Sequence, residues 1–267
     1  MYQSHWGMQE SPFRDCLDPQ FFYQSPTHDE ALARLHFLVE QHRRLGLLMG
    51  TDGSGKSLVL EVLAAQLQRA GCAVAKLNPI GMEPDELLWT LVAQLGRNVD
   101  RSQSTAVLWR ALTDRLVELR YQRLDAVVLL DDAEQANQHV LPHLIRLAKH
   151  DPSPHARLTL ILAGRREQMA RLGATLLGMS ELRIDLEPWE RGDIEGFLRT
   201  SLKQAGCRNP VFDDPAIARL CELSHGVPRH VRQLADLALV AGAGHELNQI
   251  DADVVESVFQ ELGAVEV

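Results

Sequence analysis

The 267 residues carry a formal net charge of -9 and are 45% hydrophobic, enough for one large domain or a large domain with a small one. That acidity excludes a protein whose whole surface grips nucleic acid. Four scattered cysteines without a C-x-x-C pair exclude a zinc ribbon or disulfide framework, and no apolar run nears the roughly 18–20 residues of a membrane helix.

Residues 1–26 hold Trp6, Phe13, Phe21, Phe22 and Tyr23 between prolines, too many rings to leave in water. They read as a strap lying over the core. Thr27-His28-Asp29-Glu30 forms a capping box that opens a helix over about 28–44. Leu45 to Met49 is a short apolar run, read as a buried strand, and a helix starting at Leu58 runs to Gly71. Ala73 to Asn78 is a second strand, Pro84 starts the next helix, and another covers about 104–123.

Ala126 to Leu130 is apolar throughout, as in a strand buried on both faces. A helix near 133–149 follows, with a kink expected at Pro142. Leu158 to Ala163 and Leu182 to Leu186 complete five strands alternating with helices, hence a parallel sheet sandwiched by helices. Beyond Glu190 only helical patterns occur, over about 190–205, 214–224, 228–242 and 251–263. The expected organisation is an N-terminal strap (1–26), an α/β core (27–188) and a small all-α lid (189–267).

The chemistry is concentrated in Gly50-Thr51-Asp52-Gly53-Ser54-Gly55-Lys56-Ser57, followed by Leu58 at the start of a helix. This strand, glycine-rich loop and helix have the spacing and context of a P-loop. The loop amides and the helix N-terminus suit phosphate oxygens. Lys56 would reach the β- and γ-phosphates, and the Ser57 hydroxyl would sit on Mg²⁺. Val127 to Asp132 supplies the second half: four apolar residues and then two acids. Asp131 is the expected Mg²⁺ partner with Ser57. Asp132 stands where many such ATPases carry the glutamate that polarises the attacking water. It also fits as the cap of a helix starting at Ala133, and Glu134 is a second candidate for the water. The eleven histidines form no metal constellation; His139 and His143, four apart, lack a third ligand.

With these motifs and a helical lid, the chain resembles an AAA+ ATPase, and more closely the general secretion pathway protein A family. It also resembles the ATPases that regulate target choice in some transposons. The likeness runs from Met1-Tyr2, Phe13 and Asp18-Pro19-x-Phe21 through Ser25 and Glu30-Ala31-Leu32 to both phosphate-site motifs. It continues into Leu186-Glu187-Pro188-Trp189 and Gly226-Val227-Pro228-Arg229.

The resemblance implies ATP and Mg²⁺ as ligands and gives Arg229 the part of sensor 2, touching the γ-phosphate, against the alternative of a helix-start arginine in solvent. It offers Arg183, just inside the last strand, as a finger completing a neighbour's site, against an ordinary exposed arginine. No Asn or Thr ends the fourth strand at Ala163-Gly164-Arg165, so sensor 1 is left unassigned. Asp in place of Glu at 132 implies slow hydrolysis. Secretion members add a membrane helix and a cell-wall-binding domain that these residues do not include. The scattered cysteines and an N-terminus without a charged region followed by an apolar one make a cytoplasmic ATPase the expectation, with no membrane segment of its own. Its nucleotide state would control homo-oligomer assembly and the binding of a protein partner. The alternative is an ATP-dependent DNA scaffold, motivated by Arg165, Arg166 and Arg171, which also fit a solvated helix face. A small-molecule kinase is disfavoured by the helical region.

Overall fold

The computed structural model describes residues 2–14, 16–153, 155–207 and 209–263. Met1, quoted above in the N-terminal signature, lies outside them, as do residues 264–267 that close the expected lid. The described chain forms two compact units: residues 28–51 with 56–186, and residues 2–27 with 52–55 and 187–263.

The first unit is a sheet of five parallel strands: β1 Leu45–Gly50, β2 Ala73–Leu77, β3 Ala126–Leu130, β4 Leu158–Arg165 and β5 Leu182–Leu186. Their order across the sheet is β2-β3-β4-β1-β5, so the phosphate-loop strand β1 lies between β4 and β5. Every residue of β3 is buried, as expected where helices cover both faces. On one face, Leu45, Leu47, Ala126, Val128, Leu158 and Leu160 pack against α4 (Pro84–Gln94), α5 (Thr105–Tyr121) and α6 (Leu141–Ala148). On the other, α2 (Pro26–Glu40) comes so close to β1 that a Cβ on Gly46 would collide with Leu38. The helix α3 (Lys56–Arg69) buries Val59, Leu60, Val62, Leu63 and Leu67. Edge strand β5 buries Ile184 and Leu186 and turns Arg183 and Asp185 outward. That alternation follows from successive side chains pointing to opposite faces, one covered and one open to solvent at this strand.

Three expectations need correction. The helix over 28–44 begins at Pro26 and stops at Glu40, with His42 at φ 50°. Proline is favoured at a first helical position because the amide it lacks would have no partner there. The expected helix over 133–149 is instead a 3₁₀ turn, Ala133–Gln135, and the separate α6, in whose first turn Pro142 sits. Pro142 therefore starts a helix and kinks none. A further 3₁₀ segment Arg166–Leu172 and the helix α7 Gly173–Met179 precede β5, where the sequence offered no clear period. His143 is a packing residue: its Nδ1 accepts a 2.8 Å hydrogen bond from Trp109 Nε1, and burial pushes its pKa down.

The second unit is helical. It contains the short α1 (Tyr2–His5), α8 (Arg191–Gln204), α9 (Asp214–Ser224), α10 (Pro228–Gly244) and α11 (Ala252–Gly263). The aromatic N-terminal segment belongs to this unit's own core. Trp6 and Phe13 are buried beside Phe197 and Leu239, and Trp6 Nε1 donates to the Leu239 carbonyl at 2.9 Å. Trp189, Tyr23 and Phe197 form a ring cluster with centroids 5.0–5.9 Å apart. Burying three rings and satisfying the Trp189 indole N–H on Ser25 accounts for the segment's placement. The two signature stretches of this region meet: Trp189 N–H donates to the Gly226 carbonyl at 2.8 Å. Gly226 has φ 70°, and a Cβ there would strike the Trp189 carbonyl, so only glycine serves. Val227 then caps α10 and Pro228 begins it. No helix among the described residues is long and apolar enough to cross a membrane.

Candidate functional site

The phosphate loop joins the end of β1 to the start of α3, so its amides stand at a helix N-terminus. Gly53 and Gly55 have φ 74° and 95°, conformations that a side chain disfavours. Lys56 is 6% exposed, and its Nζ donates to the Gly50 and Thr51 carbonyls at 3.2 and 2.7 Å. The Lys56 ammonium is thus a positive centre held in place by two carbonyls of the segment that leads into the loop. Ser54 is buried, and Thr51 and Asp52 are exposed.

In the sheet unit, the Ser57 hydroxyl hydrogen-bonds Asp131, which follows the last residue of β3. Asp131 is 8% exposed, and its backbone N–H is tied to Leu77 of β2 at 3.0 Å. Burial raises its pKa; Asp132 raises it further, while Ser57 and Lys76 oppose the shift. A hydroxyl and a carboxylate held together, with the carboxylate short of positive charge, fit Mg²⁺. That ion takes one or two protein oxygens and draws the rest from water and substrate phosphate. When bound, it would neutralise charge developing on the phosphates.

Asp132 is left-handed, at φ 49° and ψ 40°, and half-buried. Its Oδ2 accepts from Asn78 Nδ2 at 3.0 Å, a residue just past β2 that the sequence did not single out. Asp132 makes no side-chain cap bond to the 3₁₀ turn it precedes. Glu134, two residues on, is 2% exposed.

In the helical unit, the loop tip and α10 are in direct contact. Arg229 N–H donates to the Gly53 carbonyl at 3.2 Å, and its Nη1 lies 3.1 Å from Asp52 Oδ1. A Cβ on Gly53 would approach Arg229 Cβ to 2.8 Å and Val227 Cγ1 to 3.1 Å, a second reason for glycine there. Both charged partners are more than half exposed, so the pair is weak and easily exchanged.

Arg183 is exposed on β5 and donates to the Leu177 carbonyl at 3.3 Å. Of the basic cluster, Arg166 pairs with Asp185 at 3.0 Å.

Comparison with known proteins follows the same lines. A family model described as AAA domain matches residues 39–172. The chain is 31% identical over 245 residues to general secretion pathway protein A of Aeromonas hydrophila, covering 90% of this chain and 45% of that protein. The chain therefore spans less than half the length of this relative. Among solved structures it is similar to the Aeropyrum pernix ORC1 protein in complex with DNA, at TM-score 0.67 and 17% identity, covering 97% of this chain and 69% of that one. It is also similar to Cdc6p from Pyrobaculum aerophilum, at TM-score 0.69 and 18% identity over 93% and 68% of the two chains. The RuvB Holliday junction branch migration motor of Thermotoga maritima gives TM-score 0.63 and 16% identity over 95% and 74%. At these identities the structures share the fold.

Proposed function

From the premise that this chain belongs to the AAA domain family and is an AAA+ ATPase, we propose that its nucleotide state controls assembly and partner binding. The loop Gly50–Ser57 binds the phosphates of ATP, Lys56 reaches the β- and γ-phosphates, and Ser57 with Asp131 holds Mg²⁺. Asp132 and Glu134 are the carboxylates available to the attacking water, and slow hydrolysis is expected from an aspartate at 132. Arg183, exposed on the edge strand, is offered to the site of a second copy. The similarity to general secretion pathway protein A supports a protein partner in machinery of that kind.

The single observation that carries this reading is the contact of Arg229 with Asp52 and Gly53. Arg229, in the first turn of the helical unit's α10, contacts the tip of the phosphate loop through its backbone N–H and its guanidinium. A γ-phosphate offers more negative charge than one exposed carboxylate and suits the planar fork of arginine. Its arrival would draw Arg229 from Asp52 and move α10, and hydrolysis would return it.

Hydrogen exchange tests this. Adding Mg²⁺ and a non-hydrolysable ATP analogue is expected to change protection at the start of α10. Arg229→Ala is expected to abolish that change while weakening analogue binding by no more than about tenfold, the worth of one exposed charge-assisted contact. An unchanged exchange pattern in the native chain, with the analogue bound, contradicts the coupling.

A second reading is an ATP-dependent DNA scaffold, favoured by the solved ORC1 relative being in complex with DNA. The net charge of -9 and the Arg166–Asp185 pair weigh against it. Salt-sensitive, ATP-dependent retention of duplex DNA separates the two readings, and no retention at low salt removes this one.

A further inference from the structure

The five parallel strands begin at the end of the sheet opposite to the one where β1 leads into the phosphate loop. The segments that feed them bring together Arg43, Arg44, Arg123, Lys149 and Arg157 against Asp125, Asp151 and Glu181. This end is net positive, on a chain of net charge -9. The three acids are already engaged: Asp151 by Arg120 at 2.7 Å, Asp125 by Arg157 at 2.8 Å and Glu181 by Arg43 at 3.2 Å. Arg44, Arg123 and Lys149 form no ion pair among the described residues.

The backbone favours basic side chains at the same rim. Helices α2, α3 and α5 each run directly into a strand, and each closes on a left-handed residue whose N–H, with that of its successor, bonds back to the last turn. In α3 that residue is Gly71, the usual choice, at φ 90°. In α2 and α5 it is His42 at φ 50° and Arg123 at φ 60°, where a side chain is strained. Strain of this kind persists where the side chain has a use.

Two cavities open at this end. One, of about 170 Å³, is lined by Leu116, Val117, Ala126 and Leu158, with Arg120 and Arg157 beside them. The other, of about 450 Å³, lies among the segments ahead of β1, β4 and β5 and includes Arg44, Ala156 and Met179. Val117 and Tyr121 share a face of α5. Tyr121 is 91% exposed, and Val117 and Leu124 are exposed as well. Tyrosine and arginine around apolar recesses are the composition of a protein interface. Because β3, β4, β1 and β5 are consecutive in the sheet, the cavities stand one to two strand spacings apart, about 5–10 Å. An extended chain sets side chains i and i+2 on one side about 7 Å apart.

We propose that this end of the sheet docks an extended acidic segment of a partner protein. Two apolar side chains, two residues apart, enter the cavities, and the flanking carboxylates meet Arg44, Arg123 and Lys149. This surface is separate from the nucleotide site and does not depend on ATP. A nucleic-acid backbone suits it less, because Asp125, Asp151 and Glu181 stand in the same rim and phosphates cannot fill apolar recesses.

Fluorescence anisotropy of a labelled peptide, Asp-Glu-Leu-Asp-Leu-Glu-Asp, titrated with the full chain, tests the proposal. Binding tighter than about 1 mM is expected. Replacing both leucines by serine should weaken it at least about tenfold, the worth of a buried apolar side chain. The double variant Arg123→Glu with Lys149→Glu is expected to weaken it by about tenfold or more, and Tyr121→Ala by about fivefold. Arg123→Gly, which keeps the helix cap and relieves its strain, should weaken peptide binding while raising the melting temperature. A merely structural arginine would leave binding unchanged there. These side chains are exposed, so ATP turnover should be unaffected in every variant. No binding at about 1 mM, or an affinity indifferent to the leucines or to the charge reversal, overturns the proposal. Duplex DNA that displaces the peptide and binds more tightly overturns it in favour of nucleic acid. A dimer of the peptide-free chain that Tyr121→Ala abolishes assigns the face to a second copy and overturns it as well. A native chain without ATP turnover that still binds the peptide removes the ATPase reading and leaves this surface standing.

Discussion

Lys56→Ala is expected to abolish nucleotide binding and turnover while leaving the fold intact. The Lys56 ammonium is nearly buried and is held by two loop carbonyls, so its position is set before any ligand arrives. Removing it deletes the fixed positive centre and leaves the buried Gly50 carbonyl without its donor. Charge-assisted hydrogen bonds contribute about 1.5–3 kcal/mol each, and loss of two therefore costs about two to four orders of magnitude in ATP affinity. Alanine is the best helix former at this first position of α3, so the sheet unit keeps its packing. Calorimetric titration with ATP and Mg²⁺ measures the affinity, and circular dichroism checks the fold. Near-native affinity in a folded Lys56→Ala chain would contradict the assignment of the loop.

Asp131→Asn is expected to remove the Mg²⁺ requirement together with most of the activity. A metal that neutralises the transferring phosphate is worth several kcal/mol of transition-state stabilisation, so turnover should fall by roughly two to three orders of magnitude. The same substitution should have the opposite effect on the nucleotide-free chain. Burial raises the Asp131 pKa, so the folded state favours its protonated form more than the unfolded state does. The stability tied to that group is fully present below the unfolded value near 3.9 and is lost as pH rises through the raised folded value. Asparagine titrates nowhere. The melting temperature of Asp131→Asn relative to the native chain is therefore expected to increase as pH is raised from about 4 to 8. A native chain that stays the more stable of the two at pH 8 would show that Asp131 is not held against its charge.

The fold was legible because its strands are short, apolar and bounded. Ala126–Leu130 could be read as a fully buried strand from five consecutive apolar residues, and it lies inside the sheet with every residue covered. Alternating helices then required parallel strands. Pro142 misled because proline is equally compatible with interrupting a long helix and with starting a short one, and only the 3₁₀ turn ahead of it decides. The segment Arg166–Met179 was missed because 3₁₀ turns lack the 3.6-residue period. The loop glycines, Lys56, Ser57 and the paired aspartates could be picked out as candidates by spacing alone. Which acid has a partner could not, since Asn78 meets Asp132 only after β2 and β3 are laid side by side. A Cβ on Gly164 would overlap Glu134 Oε2, a fit that likewise arises between residues distant in sequence. No local pattern in Asp131-Asp132-Ala133-Glu134 marks the first and last carboxylates as buried and the middle one as half-exposed.

Bound ATP is proposed to change how the protein assembles, and mass in solution tests this most directly. Light scattering on the purified chain with Mg²⁺ and a non-hydrolysable ATP analogue is expected to show a homo-oligomer that dissociates when the analogue is withdrawn. It should be absent in Lys56→Ala and weakened in Arg183→Ala. A strictly monomeric mass in the native chain with the analogue bound, at every protein concentration tried, would contradict the account.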